Sequence, residues 1–221
     1  MWYQVADADR PHLRFEGQHW LRGLRTVAGV DEAGCGPLAG PVVAAAVVFP
    51  PGMRAEVLAG VHDSKRLSPK ARAALVDPIR AQALSWSVAV VDVDVIDRLN
   101  ILTAAREAAA QAVCGLGLPV EHALVDGLYN PRLSVPQTPL VGGDATSLTI
   151  AAASVLAKEH RDALMRHWDA VYPGYGFAEH KGYPTRVHRE ALARLGPCPI
   201  HRKSFRGVCE PLPVDTTDRR G

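Results

Sequence analysis

Three aspartates, Asp31, Asp126 and Asp144, each end a short apolar run and lie close to a glycine. Such a run is typical of a buried β-strand, so each carboxylate would be placed at an edge of the sheet. If the three strands are neighbours, the carboxylates meet, and clustered carboxylates repel one another unless a cation neutralises them. Oxygen ligands with few His or Cys nearby suit Mg²⁺ or Mn²⁺ rather than zinc. Two such ions would clamp the attacking and leaving oxygens of a phosphodiester. The alternative is that each aspartate is an ordinary turn or cap residue.

Glu32 directly follows Asp31. In a regular strand the two side chains face opposite sides of the sheet, so both serve one site only if the backbone bends there. Gly34 and Gly36 are able to provide that bend. The same glycines can also bring backbone N–H groups against a phosphate or a sugar, although a Gly-x-Gly turn alone is weak evidence.

The rest of the pattern predicts the elements that position these residues. Apolar runs indicate strands at 27–30, 41–49, 86–93, 122–125 and 138–141. Capping residues and apolar stripes indicate helices at 68–83, 94–115, 146–172 and 185–195. Strands come first as a group and later alternate with helices. This order favours a mixed sheet with helices packed on it, rather than a purely parallel sheet.

The composition is that of a globular protein. The chain has 221 residues, of which 48% are hydrophobic and 22% charged, which fits one large domain. It has no apolar run near the roughly 18 residues of a membrane span, and residues 1–25 lack the apolar core of a signal peptide. We therefore predict a cytoplasmic protein that does not associate with membranes.

The four cysteines are scattered and form no C-x-x-C pair. A zinc site at Cys198, His201 and Cys209 is conceivable from the spacing, but reduced, structurally ordinary thiols are the better interpretation.

The charge is unevenly distributed. The formal net charge is only +2, yet residues 158–206 contain ten Lys and Arg against five Asp and Glu. This asymmetry is consistent with a polyanion that docks on the C-terminal half, and equally with a solvated basic surface.

Several blocks resemble, in order, those of bacterial ribonuclease HII, the type 2 ribonuclease H family. They are VAGVDEAGCGPLAGPVVAAA at 27–46, DSKRL at 63–67, LVDG at 124–127, GD at 143–144, AAASVLAK at 151–158 with RD at 161–162, YGF at 175–177, HKGY at 180–183 and HRKSF at 201–205. They span residues 27–207, and such a string is far more specific than any single motif.

This resemblance implies an α/β protein with an RNase H-like fold: a mixed five-stranded sheet flanked by helices, with a helical C-terminal extension. The implied organisation is an N-terminal extension (1–25), a catalytic domain (26–207) and a flexible tail (208–221). The implied activity is endonucleolytic cleavage of RNA in RNA–DNA hybrids, and cleavage 5′ to single ribonucleotides embedded in duplex DNA. We expect a monomer.

The resemblance also assigns residues. Asp31, Glu32, Asp126 and Asp144 match the catalytic carboxylates, which would hold two Mg²⁺ or Mn²⁺ ions. The implied substrate-binding residues are Gly34, Cys35 and Gly36, which would read the ribose 2′-hydroxyl; Tyr183, which would stack at the ribo-to-deoxyribo junction; and Lys65, Arg161, Lys181 and Arg202, which would contact phosphates.

This chain departs from the family pattern in three places. Cys35 replaces an arginine, Gly142 stands where a lysine is frequent, and Glu159-His160 replaces a smaller or β-branched pair. Because the four acids are intact, we predict an active enzyme with weaker substrate binding or a stronger metal dependence. A hybrid-binding protein without catalysis and a transposase-like strand transferase are the competing interpretations.

Overall fold

The computed structural model of the chain describes residues 10–209. Its centre is a five-stranded sheet formed by β1 (Val27–Ala33), β2 (Val42–Val48), β3 (Ser85–Val91), β4 (His122–Asp126) and β5 (Gln137–Leu140). The strand order is β3-β2-β1-β4-β5. β2 is antiparallel to both β1 and β3, whereas β4 is parallel to β1 and β5 is parallel to β4. The predicted mixed sheet is therefore confirmed.

Seven helices accompany this sheet within the described residues. They are α1 (Arg14–Trp20), α2 (Pro69–Gln82), α3 (Val93–Leu99), α4 (Ile101–Cys114), α5 (Leu148–Val171), α6 (Phe177–His180) and α7 (Arg186–Leu195), with 3₁₀ turns at Ala55–Leu58 and Gly143–Ala145. Within residues 10–209, no helix has the length and apolar character needed to cross a membrane.

The sheet is covered on both faces. Ala28 and Val30 of β1 share a core with the alanines of α4, whereas Val43 and Ala45 of β2 share the opposite core with α5. Every residue of β2 is fully buried, which explains its unbroken Val/Ala sequence. Small residues let both helices approach the sheet closely.

The predicted helix at 94–115 is wrong as a single element, because two helices meet at Asn100. The backbone of Asn100 has φ +69° and ψ 162°, a strained conformation for any residue that carries a side chain. Its side chain caps α4 by accepting a hydrogen bond from the Thr103 amide at 3.0 Å. A polar residue that starts a second helix was hidden within a continuous apolar stripe.

Helix α1 lies within the segment that was predicted to be an N-terminal extension. Its Glu16 is fully buried. There Glu16 Oε1 accepts hydrogen bonds from the Ser147 hydroxyl at 2.6 Å and the Thr149 amide at 3.1 Å. This helix therefore secures the start of α5.

The C-terminal elements form a small core of their own. Tyr175, Phe177, Leu192 and Ile200 pack there against Met165 of α5. The predicted helical C-terminal extension is present, and it sits at the end of α5. Most of the predicted flexible tail, 208–221, lies outside the described residues.

Candidate active site

Asp31, Asp126 and Asp144 converge at one edge of the sheet. Asp31 is the third residue from the end of β1, Asp126 ends the adjacent parallel strand β4, and Asp144 lies in the 3₁₀ turn after β5. One carboxylate oxygen from each lies within 4.8 Å of the other two. The Gly143 amide donates a hydrogen bond to Asp126 Oδ1 at 2.7 Å, which ties the turn that carries Asp144 to the end of β4. The convergence expected from the strand ends is therefore observed.

The cluster carries more negative than positive charge. Asp31 is 6% exposed. Burial, followed by the charges of Glu32 and Asp126, raises its pKa well above the ordinary value. Burial and Asp126 likewise raise the pKa of Asp144. A divalent cation with a preference for oxygen ligands fits this site, because it would relieve the repulsion that raises these pKa values.

Glu32 lies on the other face of β1 from Asp31, as the alternation of a regular strand requires. Its carboxylate is outside the group of three that share the 4.8 Å limit, and it lines a cavity beside α4. It is still close enough that burial and the charge of Asp126 raise its pKa. The backbone bend required for joint ligation is thus not seen before Ala33, where β1 ends.

Lys65 faces the cluster across its open side. Its Nζ is 3.7 Å from Asp144 Oδ2, and its side chain is 75% exposed. Burial lowers its pKa, but the carboxylates of Asp144 and Asp31 outweigh burial, so the pKa is raised. Lys65 is therefore a charged ammonium at the site, accessible to solvent and to a phosphate.

Two residues that the sequence analysis gave no functional role hold Lys65 in place. Ser154 Oγ accepts a hydrogen bond from the Ser64 amide at 3.2 Å, and Arg72 Nη1 donates to the Ser64 carbonyl at 3.0 Å. The only sign of this role in the sequence is that Ser154, a residue with a hydroxyl, follows a run of alanines.

The prediction that Arg161 and Arg202 contact phosphates is corrected. Both side chains are fully buried, and both donate to backbone carbonyls instead. Arg161 binds the carbonyls of Pro41, Ala39 and Lys181 at 3.0–3.1 Å. Its guanidinium therefore joins the segment after Gly36 to the segment that carries Tyr183.

Arg202 binds backbone carbonyls in the same way, but within and just after residues 34–36, which we call the glycine loop. It donates to the carbonyls of Gly34, Cys35, Gly40 and Pro41 at 2.5–3.2 Å. Burial, with the charge of Arg161, lowers its pKa to about 9. The loop thus lies directly on a buried cation.

Gly34 is required by this packing. Its φ is +100°, and an added β-carbon would collide with the Arg161 side chain and lie 2.8 Å from the Pro41 carbonyl oxygen. Cys35, which follows, is exposed. Its Sγ is 3.7 Å from Glu32 Oε1, and burial and Glu32 raise the pKa of the thiol to about 12. Cys35 is a neutral thiol at the position where an arginine was expected.

Tyr183 is next to the glycine loop. It is 40% exposed, and a β-carbon at Gly36 would lie 3.7 Å from Tyr183 Cε1. Lys158 Nζ lies 5.9 Å from the centroid of the ring and is fixed by Asp162 at 2.7 Å. An exposed aromatic ring, a glycine loop and an ammonium group thus occupy one surface, of which Lys158 was not predicted.

The ammonium group of Lys181 is partly engaged within the protein and is therefore less available to a phosphate. Its ammonium donates to the Ala178 carbonyl within its own turn, and burial lowers its pKa. Its predicted role as a phosphate contact stays a prediction.

The zinc alternative is not supported. Cys198 Sγ is 3.1 Å from His201 Nδ1, but His201 Nε2 faces His188 Nε2 at 3.1 Å. Cys209 instead points to the Lys203 carbonyl. Among residues 10–209, the three aspartates form the only cluster of His, Cys, Asp or Glu suited to a metal ion.

A mixed five-stranded sheet with carboxylates gathered at the ends of its parallel strands defines a metal-binding nuclease of the RNase H-like fold. The comparisons with known proteins agree. The family model described as ribonuclease HII matches residues 28–208. A ribonuclease HII from Moorella thermoacetica is 55% identical over 185 residues, which is 84% of this chain and 88% of that protein.

Solved structures show the same relationship. The crystal structure of ribonuclease H2 from Pyrococcus horikoshii OT3 has a TM-score of 0.70 at 28% identity, covering 83% of this chain and 95% of that one. A Bst-RNase HIII structure in complex with Mn²⁺ has a TM-score of 0.62 at 22% identity, covering 77% of this chain and 61% of that one, and shows the shared fold. The chain belongs to the ribonuclease HII family. It is a ribonuclease H, an endonuclease that acts on RNA–DNA hybrids.

Proposed function

We propose that this enzyme cleaves the RNA strand of hybrids and also cuts 5′ to single ribonucleotides in duplex DNA, with two divalent ions at the aspartate cluster. The observation that carries the proposal is the cluster itself: three carboxylates within 4.8 Å at the end of parallel strands. When bound, Mg²⁺ or Mn²⁺ would activate water and neutralise charge on the phosphate. The Mn²⁺ complex of the RNase HIII neighbour supports the choice of ion.

The chain's own residues divide the remaining work. Asp31, Asp126 and Asp144 would hold the ions, and Glu32 would join them as a ligand once the end of β1 bends around a bound ion. Lys65 would attract and orient a phosphate at the open side of the cluster. Its neutralisation of Asp144 would also limit the repulsion between the acids and the polyanion.

Recognition of the ribonucleotide is assigned to the surface formed by Gly34–Gly36 and Tyr183. Backbone groups of the loop can approach a ribose closely, because Gly36 carries no side chain and Gly34 is held by Arg202. The 2′-hydroxyl is the group that distinguishes RNA from DNA at such a site. The half-exposed ring of Tyr183 would pack on the adjacent sugar.

Cleavage of an end-labelled DNA duplex with one ribonucleotide tests the proposal. We expect a cut on the 5′ side in Mg²⁺ or Mn²⁺, no cut in EDTA, and no cut by Asp31→Asn. Asp77→Asn, which removes a 96% exposed carboxylate from α2, serves as the matched control and should cut normally. Retained binding without any wild-type cut would instead identify a hybrid-binding protein without catalysis.

The role of Tyr183 needs a separate comparison. Tyr183→Phe should keep most of the activity on the single-ribonucleotide duplex, because the ring is preserved, whereas Tyr183→Ala should lose about tenfold or more, the value of one aromatic stacking contact. Equal activity of the two variants would contradict a stacking role. Melting temperatures of both proteins control for damage to the fold.

A further inference from the structure

A cavity of about 230 Å³ opens beside Glu32 and Asp126, on the α4 side of the sheet. Its inner wall is apolar, made by Ala105 and Ala109 of α4 with Val125 of β4. Two exposed leucines flank it: Leu102 is 56% exposed and Leu128 is 71% exposed. The cavity is much larger than the roughly 10–15 Å³ that is needed to hold one water, so it has room for a sugar ring.

Arg106 lines the same cavity and supplies a free positive charge. No hydrogen bond or ion pair involves its guanidinium within the part of the chain that the structure describes, residues 10–209. Glu107, the acid next to it, is bound instead to Arg132 at 2.9 Å. Only the backbone of Arg106 is engaged: its carbonyl accepts from the Asn130 side chain at 3.0 Å, which secures the loop after β4. The guanidinium is therefore available to an anion.

The cavity lies on one face of the sheet, and the surface formed by Gly34–Gly36 and Tyr183 lies on the other. Ala28 and Val30 of β1 face α4, so Glu32 faces α4 as well. The Gly34 loop and Tyr183 are held instead by Arg161, which belongs to α5 on the other face. A nucleic-acid strand that passes Tyr183 and crosses the aspartate cluster therefore reaches the cavity next.

We propose that Arg106, Leu102 and Leu128 form a subsite for the nucleotide on the 5′ side of the cleaved bond. This inference rests on the proposed function, in which Tyr183 and the glycine loop hold the ribonucleotide on the 3′ side. The sugar of the preceding nucleotide packs against the two leucines, and the phosphate on its own 5′ side binds Arg106. Charge complementarity and the shared residues Glu32 and Asp126 support this occupant.

The test removes the positive charge of Arg106 from the protein and, separately, the negative charge of the contacted phosphate from the substrate. One substrate is the single-ribonucleotide duplex with natural phosphates. The other carries a neutral methylphosphonate at the phosphate one nucleotide 5′ of the scissile phosphate. Wild type, Arg106→Gln and Arg22→Gln are compared by kcat/KM. Arg22 is an exposed arginine near His122, which begins β4 at the opposite edge of the sheet, so it controls for loss of a charge.

We expect wild type to lose about tenfold in kcat/KM with the methylphosphonate, as for one charged hydrogen bond. Arg106→Gln should show the same loss on the natural substrate and little further loss on the neutral one, while Arg22→Gln should behave as wild type. The melting temperature of Arg106→Gln should be unchanged, because its guanidinium has no partner in residues 10–209.

The possible failures are distinguishable. An equal methylphosphonate penalty in wild type and Arg106→Gln overturns the subsite alone. An Arg106→Gln protein with wild-type activity on the natural substrate does the same. Absence of a 5′ cut by the wild type overturns the proposed function, and the subsite with it.

Discussion

At the scale of single residues, the most informative side chains are the buried arginines. Arg161 and Arg202 lie beneath the glycine loop, residues 34–36, and donate hydrogen bonds to backbone carbonyls rather than to carboxylates. The planar fork of a guanidinium reaches several carbonyls at once, which a lysine ammonium on a flexible stem cannot match. The two arginines therefore shape the loop that is proposed to recognise the ribonucleotide, and they do so without contacting the substrate themselves.

Arg202→Lys should therefore destabilise the protein by about 2 kcal/mol, because at least one of the four carbonyl contacts is left buried and unsatisfied. Urea unfolding followed by tryptophan fluorescence measures the loss. Arg206→Lys, at an exposed position four residues later, should stay within about 0.5 kcal/mol of wild type. Equal stability of the two variants would rule out the organising role of Arg202.

At the scale of elements, the contact between β1 and α5 positions the first aspartate. Gly29 is two residues before Asp31, and its Cα faces the start of α5. An added β-carbon would collide with the backbone of Thr149 and lie 2.5 Å from the nitrogen of Ile150. Backbone on both sides leaves little room for adjustment, so the strand can lie this close to the helix only with glycine at that place.

Gly29→Ala should cost about 2–4 kcal/mol of stability and also lower kcat, because β1 and α5 must separate and Asp31 moves with the strand. Gly17→Ala in α1 is the matched control, since no atom lies within 4 Å of its β-carbon position. There alanine should be neutral, or stabilising by up to about 1 kcal/mol. Thermal unfolding and single-turnover cleavage report the two effects, and a stable, fully active Gly29→Ala protein would contradict the argument.

A histidine pair joins α7 to the segment that carries Tyr183. His188 Nδ1 lies 2.9 Å from the Tyr183 carbonyl oxygen, and its other nitrogen faces His201. Burial lowers the pKa of His188 to about 4, from an ordinary value of 6.5. Burial lowers the pKa of His201 to about 4 as well, so both rings are neutral at pH 7. The contact between their Nε2 atoms is lost when both rings become protonated.

Because the folded-state pKa of His188 is below the unfolded value, the unfolded chain binds more protons, and stability falls as pH drops from 6.5 towards 4. His188→Gln should be less stable than wild type at pH 7 and should lose less stability over that interval. The difference between the two melting curves isolates the histidine, since the aspartate cluster is common to both proteins. Parallel curves would show that His188 does not contribute.

At the scale of the whole molecule, the structure changes what the charge distribution means. The surplus of Lys and Arg in 158–206 includes Arg161 and Arg202, which are fully buried, and Arg186, which pairs with Glu190. The positive surface near the cluster comes instead from separate segments, including Lys65 before α2 and Arg106 on α4. A count along the sequence overstates the contribution of the C-terminal half.

Binding of a hybrid should weaken linearly on a plot of log affinity against log salt, as counterions are released from the phosphates. Lys65→Gln should reduce that slope by about one, because Lys65 is an exposed charge at the cluster. Fluorescence anisotropy in EDTA, where no cleavage occurs, gives the slopes. Arg22→Gln at the far edge should leave the slope unchanged, and an identical slope for Lys65→Gln would remove Lys65 from the phosphate contacts.

The strands, the acids near their ends, the capped starts of α2 and α7 at Ser68 and Thr185, and the family could all be predicted from the amino-acid sequence alone. These are local features, since apolar periodicity and capping depend on neighbours a few residues apart. The roles of Arg161, Arg202 and Ser154 follow from the folded structure, because all of their partners except the Lys181 carbonyl lie 90 to 168 residues away along the chain. An arginine reads the same in sequence whether it binds a phosphate or a buried carbonyl. The difference arises from which distant backbone groups the folded sheet and helices bring within its reach.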